Sequence, residues 1–410
     1  MPCTVPEPVQ LRAVLTLAGH LVDFPAPGVL RHRPHAVLQV DHRGRIQSVQ
    51  PLEETGPPRL ILPGFVDLHT HWPQWRVRGR AVVPLLRWLD TVIYPEERRF
   101  HRASEARLVA RAFLQEALRN GITTVVSYAT VHARATEIAF EEAEALGIRF
   151  VSGKMMMDAH APPGLSEPTQ ASLAESEDLA RRWHGKHHRL FYAFSPRFAL
   201  TVTPDLLRET AHLARQFGAY IQTHMAESPD EIQALRELTG AASYTLYYRD
   251  TGILGPRTLL GHCIHLSPAD AQVLRETQSR VVHNPSANLF LHAGRFPVEL
   301  MDSHGLDFGL GSDVGAGPSL SPFDVMRDAF YLNPLEPARL LYHATLGGIQ
   351  ALGWQDRLGT LDPGKEADLV VLEWPPFLLG EPVEVVLSVL IFTGGHHWIQ
   401  EVYRSGERLV

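Results

Sequence analysis

The chain has 410 residues, of which 45% are hydrophobic and 20% charged, and a net charge of −7. That is enough for one large barrel-like domain with a smaller companion, and the acidic balance without any Lys/Arg block argues against nucleic acid or an anionic membrane as a partner. Two cysteines, Cys3 and Cys263, exclude a disulfide framework and a four-cysteine metal site; with no secretory leader pattern and no apolar run of about 18 residues, a cytoplasmic protein is expected.

In chain order, Leu11–Leu17 is β-prone, and His35–Val40 and Arg45–Val49 flank the turn Asp41-His42-Arg43-Gly44 as a hairpin would. From residue 61 strands alternate with helices. The strands are Ile61–Asp67, Ile122–Ser127, Arg149–Lys154, His188–Phe194, Ala219–His224, Thr258–His262, Arg280–His283 and Leu306–Gly311. Helices such as Ser104–Asn120, Glu137–Leu146, Pro204–Phe217 and Pro268–Thr277 separate them, with Gly121, Gly147 and Gly218 at helix ends. Eight strand–helix units predict a (β/α)8 TIM barrel, an α/β fold in which parallel strands need crossover helices. Near the C-terminus Asp368–Leu372, Val385–Ile391 and Trp398–Val402 are again β-rich, and Arg404-Ser405-Gly406 turns into a last short strand. The expected architecture is a barrel over residues 61–362 beside a discontinuous β-sandwich made of residues 1–60 and 363–410.

The strongest local signal is Pro63-Gly64-Phe65-Val66-Asp67-Leu68-His69-Thr70-His71. Alternate side chains on a strand share a face, so His69 and His71 stand about 7 Å apart along the backbone and both reach one metal ion. Taken alone, a His-x-His is as readily two histidines in a polar loop. Three more residues follow apolar strands at the same rim: His224 after strand five, His262 after strand six and Asp313 after strand eight. Each is unremarkable singly among 22 histidines and 45 acidic residues; their shared placement, on the rim where barrel active sites gather, is what points to a metal. Three imidazoles and a carboxylate suit zinc, which lowers the pKa of a bound water from about 16 to about 7. Glu227 follows His224 by three residues and has the chemistry of a proton shuttle; read alone it is equally a solvated glutamate of a first helical turn. Arg197 after strand four suits a carbonyl acceptor, and Gln74 offers both donor and acceptor. Phe198 can stack on a flat ring or serve the core, and Trp72 and Trp75 are possible pocket walls.

With these residues on the page, the sequence resembles the amidohydrolase superfamily along essentially its whole length, including the trailing Gly359-Thr360-Leu361-Asp362-Pro363-Gly364-Lys365-Glu366-Ala367-Asp368-Leu369-Val370. Within it the guanine deaminases are most similar, through His69-Thr70-His71-Trp72-Pro73-Gln74, Pro84-Leu85-Leu86-Arg87-Trp88-Leu89, Ser195-Pro196-Arg197-Phe198-Ala199-Leu200 and Ala344-Thr345-Leu346-Gly347-Gly348. The resemblance implies His69, His71, His224 and Asp313 as ligands of one zinc ion per chain. It implies that Asp313 also takes the proton of the metal's water, that His262 hydrogen-bonds this water, and that Glu227 is the proton shuttle. Gln74, Arg197 and Phe198, with Glu227 and His262, would contact a small purine, and a homodimer is favoured.

Gly359-x-x-x-x-Gly364-Lys365 mimics a phosphate loop but continues with Glu366 and contains Asp362-Pro363, so it reads as a turn. His187-His188 and His396-His397 read as surface pairs. The Cys-rich signature of cytidine-type zinc deaminases is absent. Two other functions compete: an amidohydrolase with the same metal site acting on 8-oxoguanine, a pterin or a triazine, and a non-catalytic relative used in assembly, which would have lost ligands that are all present here.

Overall fold

The computed structural model describes residues 15–53, 56–81 and 83–410; Cys3 and the start of the expected strand Leu11–Leu17 lie outside them. Its architecture divides at Pro63-Gly64. The sequence suggests one strand over Ile61–Asp67, but the chain makes two, Arg59–Pro63 and Phe65–His71. The first belongs to a seven-stranded mixed sheet and the second opens the barrel. Gly64 is needed there because a Cβ would meet the Thr123 hydroxyl at 2.1 Å.

The mixed sheet takes strands from both chain ends. Leu15–Ala26 and Val29–Val40 form a long hairpin, and Ile46–Pro51 extends it. Its tight loop is Pro27-Gly28, with Gly28 at φ 74°, the pairing of Pro with a left-handed Gly that a type II turn requires. On the other side Arg59–Pro63 lies parallel to the first strand and antiparallel to Leu369–Glu373, which pairs in turn with Ile399–Arg404.

A second expectation is corrected. Val385–Ile391 is not a strand but the body of a helix, Val383–Thr393, ended by Gly394 at φ 87°. Its residues are apolar nearly all round and pack against the helix Pro322–Leu332. Periodicity alone cannot separate a buried strand from a buried helix, and tertiary burial overrides the β preference of its valines.

The barrel strands are Phe65–His71, Ile122–Tyr128, Arg149–Gly153, Leu190–Pro196, Tyr220–Met225, Thr258–His262, Arg280–His283 and Phe308–Leu310. They hydrogen-bond side by side in chain order, all parallel, which makes a nearly closed (β/α)8 barrel. Val66, Val126, Val151 and Leu259 fill the lumen near the strands' N-terminal ends, and Trp354 with the helix Leu346–Ala351 covers that end. Among the described residues no helix is long and apolar enough to cross a membrane. The phosphate-loop mimic is a turn whose Gly364 N–H donates to Ile46 O at 2.8 Å, and His187 pairs with Glu144 at 2.6 Å.

Barrel and sheet are tied by Arg149, buried at the start of the third barrel strand. Its Nε and Nη2 grip both oxygens of Asp368 at 2.6 and 2.9 Å, and Nη2 also reaches Glu366 at 2.6 Å. Removing one partner from a buried ion pair strands the others. Arg149→Ala is therefore expected to destabilise the protein by about 3–5 kcal/mol, read as earlier unfolding in urea; an unchanged midpoint would show that the tie contributes nothing.

Candidate metal-dependent active site

The C-terminal rim of the barrel gathers the residues expected from the sequence. Pairing of strand one with strand two slips between Asp67 and Thr70, an irregularity of the kind that re-aims side chains beside active sites. Donor atoms of His69, His224, His262 and Asp313 all lie within 4.8 Å of one another. His71 joins them through Nε2, 3.1 Å from His224 Nε2 and 3.4 Å from Asp313 Oδ1. The two oxygens of Asp313 face different neighbours. Oδ1 is also 3.4 Å from His69 Nε2, while Oδ2 is 3.6 Å from His262 Nε2, which itself stands 3.4 Å from Glu227 Oε2.

Burial, above all, pushes His69, His71 and His224 well below the ordinary histidine range. His224 Nδ1 donates to the carbonyl of Arg197 at 2.7 Å, so its Nε2 presents a lone pair. His262 Nδ1 is likewise tied to Asn288 Oδ1 at 3.1 Å. His69 Nε2 and His262 Nε2 are buried without a hydrogen bond. Buried acceptors of this kind, beside a carboxylate, fit a divalent cation, and the donor set matches that of hydrolytic zinc sites.

Local backbone holds these groups in place. His262 and Asp313 both adopt left-handed conformations, φ 71° and 48°, which side chains other than glycine rarely accept. Hydrogen bonds enforce them: Cys263 N to Met225 O at 2.9 Å, Asp313 N to His69 O at 2.8 Å and Gly317 N to Asp313 O at 2.7 Å. Asp67, pushed up to about 7 by burial, accepts from the Ser312 N–H and hydroxyl and from His69 N–H. Tyr128 stacks on His71 with ring centroids 4.6 Å apart.

Glu227 is buried, and burial first, then the nearby Asp313 and Glu231, push it well above the ordinary carboxylate range. Its N–H donates to Glu231 at 2.9 Å, and Glu231 completes a capping box with Ser228 at the start of helix Pro229–Thr239.

His71, His224, His262, Asp313 and Glu227 line one cavity together with Gln74, Arg197 and Phe198, walled by Leu85, Trp88, Leu89 and Leu291. Gln74 Nε2 and Arg197 Nη1 both donate to the carboxylate of Glu97, at 2.9 and 2.6 Å. Burial works against the Arg197 charge and Glu97 more than offsets it, so the guanidinium is held even more firmly protonated than usual. Trp72 and Trp75 do not line this cavity: Trp72 is fully buried against Phe100, and Trp75 lies beneath Arg78. Trp88 is the tryptophan of the wall.

Glu97, Tyr128, Asp67, Asn288 and Glu231 were not singled out by sequence reading. Ser228-x-x-Glu231 carries a capping-box signature that would have found Glu231. Glu97 had none, as the second of two adjacent glutamates on a short helix.

The sequence pattern of the amidohydrolase family matches residues 60–409. The chain is 36% identical to the guanine deaminase of Escherichia coli (strain K12) over 322 residues, 77% of this chain and 73% of that one. Its fold superposes on the crystal structure of guanine deaminase from C. acetobutylicum with guanine bound in the active site, with a TM-score of 0.91, 25% identity, and coverage of 96% of this chain and 99% of that one. An adenosine deaminase from Xanthomonas campestris with bound zinc matches at a TM-score of 0.85 and 25% identity, covering 96% of this chain and 92% of that one.

The ligand cluster tolerates no added atom on its strand-six side. A Cβ at Gly261 would lie 2.3 Å from His69 Cε1 and 2.5 Å from its Nδ1. Gly261→Ala is expected to displace that ring, costing bound metal and about 10²-fold in turnover, the scale of a misplacement near 1 Å. Elemental analysis and rate measurements on the folded variant check it; full metal with full activity would refute it.

Proposed function

The chain belongs to the amidohydrolase family, and we propose that it hydrolyses guanine to xanthine and ammonia. One arrangement carries this reading: a buried Glu227, its carboxyl pushed above the ordinary range, beside a metal-binding cluster, in one cavity with an arginine and a glutamine able to read a purine edge.

His69, His71, His224 and Asp313 would hold one zinc ion. When bound, zinc supplies a water acidic enough to attack near neutral pH. The division of Asp313 supports its double role: Oδ1 faces His69 and His71, and Oδ2, turned toward His262, is placed to take the proton of the attacking water. His262, its Nδ1 fixed by Asn288, turns Nε2 to the same point and orients that water. Glu227 protonates the ring nitrogen next to the amine-bearing carbon, which makes that carbon electrophilic; the two protons of the attacking water, taken by Asp313, then pass in turn to Glu227, the first leaving on ammonia and the second restoring the acid. Arg197 takes the substrate carbonyl and Gln74 the adjacent polar edge, while Phe198 and the apolar wall cover the ring faces. The proposal includes the barrel of residues 61–362 as the catalytic unit, residues 1–60 and 363–410 as its β companion, and a cytoplasmic homodimer serving purine breakdown.

Two experiments test the chemistry and the substrate. Glu227→Gln preserves shape but cannot transfer a proton, so zinc is expected to stay bound while turnover falls about 10²-fold or more; loss of zinc would make Glu227 a ligand instead. Adenine lacks a carbonyl and would leave buried donors unpaired, so guanine is expected to be preferred on the order of 10⁴-fold. Arg197→Ala should then damage guanine turnover far more than adenine turnover, measured as kcat/KM for both bases; equal losses would make Arg197 structural.

A further inference from the structure

Glu97 lies outside every role assigned above, yet it joins the two side chains given the substrate. Its carboxylate is 1% exposed at the side chain, and Arg197, its partner, 3%. Each oxygen takes one of them: Oε1 accepts from Gln74 Nε2 at 2.9 Å, and Oε2 from Arg197 Nη1 at 2.6 Å. Gly315 N–H holds the other end of the Gln74 amide through Oε1 at 3.1 Å, so the orientation of that amide is fixed from both sides. The neighbouring Glu96 pairs instead with Arg76 and Arg99, so the two adjacent glutamates serve different arginines.

We propose that Glu97 is the positioning residue that sets substrate selectivity, by locking Arg197 and Gln74 in one fixed relation and cancelling the buried charge of the guanidinium. The inference rests on Arg197 and Gln74 being the substrate readers. A carboxylate bridging two donors fixes their separation and the plane of each. Without it Arg197 would be an uncompensated buried cation, drawn out of register and suited to anionic rather than neutral rings. Glu97 touches neither the metal ligands nor Glu227, so its loss falls on binding and selectivity before chemistry.

The test is a double-mutant cycle of Glu97→Gln and Arg197→Ala, with zinc content, and kcat and KM for guanine and adenine. Glu97→Gln is expected to keep full zinc and to lower guanine kcat/KM about 10- to 100-fold, mainly through KM. Its preference for guanine over adenine should narrow, and adding it to Arg197→Ala should cost less than it does alone, because only its hold on Gln74 is then left to lose. If Arg197→Ala harms guanine turnover but Glu97→Gln does not, or the two losses multiply, the positioning role is overturned while the reading of Arg197 stands. If Arg197→Ala leaves guanine turnover intact, that reading itself fails. Loss of zinc in Glu97→Gln would mark Glu97 as scaffold and overturn the inference. Should the amide variant not fold, Glu97→Asp carries the same cycle: it keeps the charge one methylene short, and kinetics equal to the parent protein would overturn the locking geometry.

Discussion

Everything at the rim depends on how the barrel closes between its first and last strands. There Asp313 N donates to His69 O and His71 N to Val314 O, at 2.8 and 2.7 Å, while Asp67 binds Ser312 through both backbone and hydroxyl. The seam that completes the barrel is therefore also the contact that brings Asp313 to the two histidines of strand one. Packing is so close that a Cβ at Gly311 would lie 2.7 Å from His69 Cβ. A buried backbone group left unpaired here would be costly, so closure and ligand geometry are one constraint.

The same economy appears at Arg197. Its side chain reaches into the cavity, and its carbonyl accepts both from His224 Nδ1, at 2.7 Å, and from His224 N–H, at 3.1 Å. One residue thus orients the His224 imidazole with its backbone and lines the cavity with its guanidinium.

Much of this was legible in the sequence because barrel chemistry follows strand ends. An apolar run followed by His or Asp announces both a strand and the rim it points to, which is why His69, His71, His224, His262 and Asp313 could be read together. Groups that act on other groups left weaker traces. Glu97 sits in a short helix whose pattern is that of any amphipathic turn, and Tyr128 lies one residue past the expected end of a strand. Its ring could not be seen to lean on His71 without the neighbouring strand. The helix Val383–Thr393 misled for the opposite reason: its apolar valines carry a local β preference that burial on a helical layer overrules. The strand over Ile61–Asp67 concealed a change of sheet, since alternation says nothing about which sheet a strand joins.

The mixed sheet has a consequence for how the protein is made. Arg59–Pro63, its central strand, pairs on one side with a strand near the start of the chain and on the other with Leu369–Glu373. On the ribosome the first partner emerges early and the second close to the end, so one edge of that strand waits unpaired while the barrel is still being synthesised. The acidic partners of Arg149, Glu366 and Asp368, arrive with the same late segment. Contacts this distant in sequence make folding slow, and open strand edges invite association between nascent chains. The segment around Leu369–Glu373 therefore acts as a built-in chaperone: once it pairs, the exposed edge is covered and the buried arginine is neutralised in a single step.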